Sequence, residues 1–385
     1  MNRQQICTRC VIDATVPGVA FDENGVCNHC ALYDRLEEDW PLGRVGRRRL
    51  EALVDKMKQE GKDSKYDCIV GFSGGTDSSY TLYLTKKLGL RPLAVDFDNG
   101  WSSDTALNNM HGATSSLNID LRTYEADPRE FDDLLKAYLW ASFPWADTPS
   151  DKAITATLYR AAEEEGIKYI IVGRNFRTEG KMPAEWSYSD DRTLQHIHQE
   201  FGEESIDTVP RMSLLDLIRY QFVEQIEYVL LLNYVEYSKS TAREILRTEL
   251  DWRYYGGHHY ENIYTRFVYS FLLPQKFGID KRKITHSALI RNGDMTRDEA
   301  LADLQEAPLA PEQVERDIDY VIEKLGLTRA EFDEILALPP KSFRDYASYF
   351  RLFETLAPII ARLPKGLMSW TPPFIREIQM RRQAA

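Results

Sequence analysis

Long apolar runs are missing from this sequence. None approaches the ~18–20 residues needed to cross a bilayer, so no membrane association is expected. The first residues, MNRQQICTRC, have no apolar core of the kind a secretory signal carries, and a cytoplasmic location is the expectation. Positive charge is also short. The net charge is −12, which argues against a broad nucleic-acid surface, because such binding rests on Lys and Arg neutralising phosphates. The basic runs at 47–49 and 281–283 read either as solvated faces or as the lining of a local pocket. Cysteine is nearly confined to the first thirty residues, with Cys68 the one exception among five. Internal repeats and low-complexity tracts are lacking. What remains is a chain of 385 residues, 43% apolar and 28% charged. That is an ordinary globular composition, with length for one large domain or two to three smaller ones.

From Tyr66 onward, strand and helix patterns alternate. YDCIVGF (66–72), RPLAVDFD (91–98), LRTYEA (121–126) and IKYIIVG (167–173) are short β-rich runs. Helical periodicity covers 44–60, 78–88, 103–118, 129–141 and 152–165, although Gly112 weakens the third of these. Such alternation predicts a doubly wound parallel α/β sheet, with ligands bound beyond the carboxyl ends of the strands. The run LLDLIRYQFVEQIEYVLLLNYVEY (214–237) suggests one long buried helix or two shorter ones. From Thr296 the chain reads helix after helix. Thr296 with Glu299, and Thr328 with Glu331, have capping-box spacing. The expected division is a cysteine module and linker helix over 1–60, the α/β domain over 61–290 and a helical subdomain over 291–385.

CTRC and CNHC place Cys7/Cys10 and Cys27/Cys30 as two knuckles, sixteen residues apart. Four thiolates at this spacing suit a closed tetrahedral Zn²⁺ site of structural type. Unligated thiols and an iron–sulfur cluster are the alternatives, and His29 inside the second knuckle reads as a bystander.

SGGTDSS, 73–79, follows the first apolar strand and opens a helix. Backbone N–H groups and a helix dipole converge there on an anion, and the paired glycines allow close backbone approach. The lysine of a Walker loop is lacking, as is the G-x-G-x-x-G of a dinucleotide fold. The stretch instead resembles the PP-loop, S-G-G-x-D-S, of ATP pyrophosphatases. That resemblance implies that Ser73, Gly74, Gly75, Thr76, Asp77, Ser78 and Ser79 cradle the pyrophosphate leaving ATP while AMP is transferred. Asp77 would then hold Mg²⁺, offsetting phosphate charge. It also implies that Asp96, Asp98 and Asn99 meet the adenosine, with Gly173, Arg174 and Asn175 facing the same crevice. Glu179 would be a second magnesium ligand. Loop residues that merely cap helices are an equally good reading of the positions outside the turn.

The stretch 252–300, beginning WRYYGGHHYENIYTRF, together with CTRCVID and FDENGVCNHC, resembles the N-acetyl sugar amidotransferase family of bacterial surface-polysaccharide synthesis. One departure is His258, where the family pattern has a lysine; His259, Tyr260 and Glu261 keep register. The resemblance implies an ATP-dependent ligase acting on a nucleotide-activated N-acetyl sugar. An acetamido oxygen is adenylated, and ammonia then displaces AMP to leave an acetamidino group. It further implies that a separate glutaminase and a cyclase-like subunit deliver the ammonia. His259 and Glu261 are acid/base candidates or structural residues. Lys276, Lys281 and Arg282 are candidates for stabilising pyrophosphate or substrate phosphates, or a solvated basic face. Tyr254 and Tyr255 suit stacking on a sugar or base, or core packing. The rivals are a tRNA-thiolating PP-loop enzyme, for which Cys68 is the one spare cysteine, and a non-catalytic nucleotide-binding scaffold.

Overall fold

A computed structural model describes residues 5–360; the remainder of the expected helical subdomain, 361–385, lies outside the described residues. The N-terminal knuckles lead into α1 (Asn28–Asp39) and α2 (Gly43–Glu60). The α/β region follows as β1 (Cys68–Gly71), α3 (Thr76–Lys87), β2 (Pro92–Asp98), α4 (Asp104–Leu117), β3 (Leu121–Glu125), α5 (Pro128–Trp140), α6 (Thr148–Glu164), β4 (Tyr169–Val172), the single turn α7 (Phe176–Glu179) and β5 (Glu227–Leu230). The sheet order is β3-β2-β1-β4-β5, and all four pairings are parallel.

Side-chain alternation explains why this sheet is covered on both faces. Cys68, Val70, Ala94, Tyr169 and Ile171 join one apolar cluster with Leu82 of α3 and Met110 of α4. Their neighbours Ile69, Leu93, Val95, Ile170 and Val172 join another with Leu158 and Tyr159 of α6. Cys68 is fully buried there, and burial pushes its thiol well above the usual range. The α/β fold expected from the sequence is thus present.

The fifth strand is a correction. Residues 214–237 are neither one helix nor two. Helical turns over 214–223 give way to β5, which pairs Glu227–Leu230 with Tyr169–Val172. A continuous apolar run has no period that separates a buried strand from a buried helix; only the open edge of β4 decides.

Beyond β5 the chain is helical, and both expected capping boxes form, at Thr296/Glu299 and Thr328/Glu331. The helix Arg282–Asn292 crosses the boundary expected at 290. Phe267, Phe332 and Ile335 of this region pack with Leu134 and Leu135 of α5, and the same cluster takes in the four knuckle cysteines. Arg266 clamps Asp317 with two hydrogen bonds of 2.7 and 2.6 Å. Among the described residues, no helix is long and apolar enough to cross a membrane.

Candidate active site

The Gly-rich turn sits at the C-terminal edge of β1, where the strand order switches between β1 and β4. Two glycines make the geometry possible. Gly74 has φ +71, and a Cβ there would meet the Ala106 carbonyl oxygen at 2.3 Å. A Cβ on Gly173, just after β4, would meet the Asp77 carbonyl carbon at 2.7 Å. Gly75 caps α3 without a side-chain hydrogen bond, so the first turn of that helix is open to an anion.

Asp77 lies in this first turn, but it already has partners. Lys239 Nζ donates to its Oδ2 at 2.9 Å, and the Tyr237 hydroxyl donates to Oδ1. Burial, with Asp77 beside it, pushes Tyr237 well above the usual tyrosine range, so it keeps its proton. Lys239 also donates to His258 Nδ1 at 3.1 Å.

The segment 252–262 wraps this turn. Trp252 Nε1 donates to the Gly74 carbonyl at 2.9 Å, and Thr76 N donates to the Tyr255 hydroxyl at 2.9 Å. Glu261 lies against Gly75: a Cβ there would come 2.7 Å from Glu261 Oε1. Ser103 N donates to the Glu261 carbonyl at 2.8 Å, and Ser102 bridges Asn262, fastening the segment to the loop after β2. His259 adopts φ +62. Its Nδ1 is 3.5 Å from Glu261 and its Nε2 4.0 Å from Glu179.

Together these walls enclose a cleft of about 520 Å³, a size that accommodates a nucleotide or sugar. Ser73, Gly75, Thr76, Asp77 and Ser78 form one side; Asp96 and Asn99 come from the end of β2, and Gly173, Arg174 and Glu179 follow β4. His259, Glu261 and Lys281 close it. Burial, aided by Asp98, pushes the Asp96 carboxyl up to about 7. Lys281 stands 3.8 Å from the centre of the Tyr269 ring, and burial lowers its ammonium to about 8.

Seven expected positions do not line this cleft; one is Tyr254, half-exposed with the Arg243 guanidinium over its ring. Lys276 Nζ donates to the carbonyls of Ile335, Leu336 and Leu338, at 2.5, 3.3 and 2.8 Å, capping the helix Arg329–Ala337 whose end leaves those acceptors unpaired. Arg282 is committed to Asp280 and Asp303. Gly74 is spent on contact with α4, and Ser79 is buried within α3. Asp98 turns back to accept from Gly100 N at 2.7 Å, and Asn175 caps α7 by accepting from Thr178 N at 2.8 Å.

Two other residues at the site, Lys239 beside Asp77 and Asp147 in the cleft wall, carried no sequence signal. Lys239 starts a helix far from any motif. Asp147, 5% exposed, precedes α6 and accepts from Thr265 Oγ1 at 2.6 Å, while its Oδ1 is buried without a partner. Burial, then Asp151, raises this carboxyl to about 7. A polar helix start in WADTPSD was its one visible mark.

The four knuckle cysteines are buried and free of disulfides. Sγ separations of 3.9 Å (Cys7–Cys30), 3.7 Å (Cys10–Cys27) and 3.8 Å (Cys27–Cys30) match the roughly 3.8 Å edge of a tetrahedron with metal–sulfur bonds of ~2.3 Å. Arg291 Nε donates to Cys30 Sγ at 3.2 Å and its guanidinium reaches Cys10 Sγ at 3.5 Å. Arg297 donates to the carbonyls of Cys10 and Cys7. The cluster fits a thiolate-bound metal such as Zn²⁺, offset by a buried cation.

Fold and site therefore define a doubly wound α/β protein with a glycine-rich turn that opens a helix at its switch point, and a four-cysteine cluster. Residues 261–357 match the family described as LPS biosynthesis protein WbpG-like, C-terminal domain, which bears out the resemblance to surface-polysaccharide enzymes over that stretch. An uncharacterised protein of Methanocaldococcus jannaschii is 32% identical over 173 residues, 43% of this chain; the match spans 58% of that relative's length. Among solved structures, NMN synthetase from Francisella tularensis aligns over 74% of this chain and 97% of its own, at 14% identity and a TM-score of 0.30.

Proposed function

We propose that this chain is an ATP-dependent amidotransferase that converts an acetamido group of a nucleotide-activated sugar into an acetamidino group, in the synthesis of bacterial lipopolysaccharide O-antigen or a related surface glycan. One observation carries the reading: the segment 252–262, the start of the stretch that carries the family resemblance, packs directly on the SGGTDSS turn through Trp252, Tyr255 and Glu261. A nucleotide on the turn and an acceptor against that segment would share one cleft.

In this reading the turn and the first N–H groups of α3 hold the departing pyrophosphate. Asp77 would hold Mg²⁺ in exchange for Lys239, and that ion would offset phosphate charge. Lys239, released from Asp77, and Lys281 are then free cations for phosphate or for the acceptor. The acetamido oxygen attacks the α-phosphorus of ATP. Ammonia adds to the activated carbon and AMP leaves with the oxygen, so that amide, ammonia and ATP give amidine, AMP and pyrophosphate. Glu261, which lines the cleft, is the proposed acceptor of a proton from the attacking nitrogen. A neutral amide oxygen is a weak nucleophile, so positioning supplies most of the acceleration.

Four cysteines lie in the cluster and Cys68 in the core, so none is available to release ammonia from glutamine. A separate glutaminase with a cyclase-like partner is the proposed source. The burial of Cys68 equally weakens a sulfur-transfer reading.

The test is incubation with MgATP, ammonium and UDP- or CMP-linked diacetamido sugars. The expected product is lighter by about one mass unit, as NH replaces O, with AMP formed in equal amount. ADP formation, or sulfur appearing in tRNA, refutes the proposal. Asp77→Asn is expected to abolish AMP formation while the metal content of the cysteine cluster stays unchanged.

A further inference from the structure

A second group of metal-ligating side chains lies inside the cleft, apart from the cysteines. Glu179, His258 and His259 each bring a ligand atom within 4.8 Å of those of the other two. Glu261 Oε1 is 3.5 Å from His259 Nδ1, so a second carboxylate borders the group.

Three features of these residues lack an explanation within the protein alone. His258 Nε2 and Glu261 Oε2 are both buried without a hydrogen-bond partner, although buried polar atoms are ordinarily paired. Among the described residues, neither Glu179 nor Glu261 meets a lysine or arginine within 4 Å; the ion-pair contact of each is His259. Asp77, by contrast, is neutralised by Lys239. Finally, His259 holds φ +62, a left-handed conformation costing a non-glycine residue ~1–2 kcal/mol. Strain of that kind persists where surrounding structure fixes a side chain for a purpose.

We propose that Glu179, His258 and His259, bordered by Glu261, bind a divalent first-row transition-metal ion of the Mn²⁺ to Zn²⁺ class, beside the SGGTDSS turn. The donor chemistry selects the class. Mg²⁺ and Ca²⁺ take oxygen ligands, whereas two imidazoles with one or two carboxylates suit Mn²⁺, Co²⁺ and Zn²⁺. This assigns Glu179 to a mixed nitrogen–oxygen site and leaves Asp77 for magnesium.

The ligands must be neutral imidazoles and ionised carboxylates. Because His258 Nδ1 accepts from Lys239, the metal-free ring carries its proton on Nε2. Binding at Nε2 moves that proton to Nδ1, so the ring no longer accepts from Lys239; no proton is gained or lost. Three protein ligands leave a coordination position open toward the cleft, where an oxygen of phosphate or acceptor would be polarised. That last role rests on the amidotransferase reading; binding of the ion does not.

Cobalt titration of the full chain, freed of metal and kept reduced, separates the two sites. The cysteine cluster is expected to give intense sulfur-to-cobalt charge-transfer bands. The proposed site is expected to add a second ion with weak nitrogen–oxygen ligand-field bands only. His258→Gln with His259→Gln is expected to lower the stoichiometry from two to one and to leave the sulfur bands intact, a readout that also shows the variant is folded. His259→Gln alone is expected to weaken the second ion at least tenfold. Retention of both ions by the double variant, a single ion on the unaltered chain, or complete displacement of the second cobalt by excess Mg²⁺ each overturns the proposal. A second ion that binds while no AMP is ever formed from a sugar nucleotide leaves the metal site standing and refutes the amidotransferase reading alone.

Discussion

A carboxyl group removed from water without a cationic partner resists ionisation, because desolvation penalises the charged form. Asp147 is such a group, with one oxygen held by Thr265 and the other unpartnered. Its folded-state pKa of about 7 lies well above the ordinary aspartate value of 3.8. The folded protein therefore binds the extra proton more tightly than the unfolded chain does. The resulting stabilisation is complete below pH ~4 and is lost as pH rises through about 7. Asp147→Asn is expected to remove this slope: melting temperatures measured from pH 5 to 8 should fall less in the variant, with up to roughly 4 kcal/mol recovered at the alkaline end. An unchanged slope would place the titration elsewhere, Asp96 being the other carboxyl raised to about 7. The turn residues Ser73–Ser78 were legible in the sequence because a strand, two glycines and a helix start are local properties. Lys239, which neutralises Asp77, was not, since the partners are 162 residues apart.

Secondary-structure elements meet at the turn with almost no tolerance. The chain leaving β4 touches the start of α3 at Gly173, where any side chain would overlap backbone atoms rather than a movable side chain. Gly173→Ala is expected to cost about 1–3 kcal/mol in denaturant unfolding, as overpacking does. Displacement of the turn should also lower AMP formation on the order of 10²-fold. Wild-type stability with wild-type turnover would show that the two strands separate freely. Strands β1 to β4 were readable from short β-rich runs bounded by turn residues. β5 was not, because its apolar residues run together in YVLLL (228–232) without a period of two, and the choice of strand was made by pairing to β4. Lys276 and Arg282 show the converse: their sequence neighbourhood suggested the site, but nearby carbonyls and carboxylates claimed them first.

At the scale of the whole molecule, the cysteine cluster ties the N-terminal knuckles to the segment 282–303. Arg291 and Arg297 reach it from the helices Arg282–Asn292 and Arg297–Asp303, and the buried Arg177 of α7 pairs with Glu37 of α1 at 2.9 Å. Since α7 ends at Glu179, the cluster also braces one wall of the cleft. If the cluster holds a metal, its removal is expected to lower the melting temperature and to open both residues 5–40 and 282–303 to protease. Protection restricted to one of these segments would contradict the shared support. Arg291→Gln is expected to weaken metal retention about 10–100-fold against a chromophoric chelator, with the thiol count unchanged.

What the sequence settled by itself was local: alternating strands and helices, a glycine-rich turn opening a helix with an acid in place of a lysine, paired knuckles at metal spacing, and the helix caps at Thr296 and Thr328. Each follows from residues a few positions apart, through backbone conformation and hydrogen-bond supply. Tertiary structure alone decided the fifth strand, the pairing of Asp77 with Lys239, the unpartnered Asp147 and the grouping of Glu179 with His258 and His259. Those depend on desolvation and on which side chains converge from distant elements, and neither is a property of any contiguous stretch of chain.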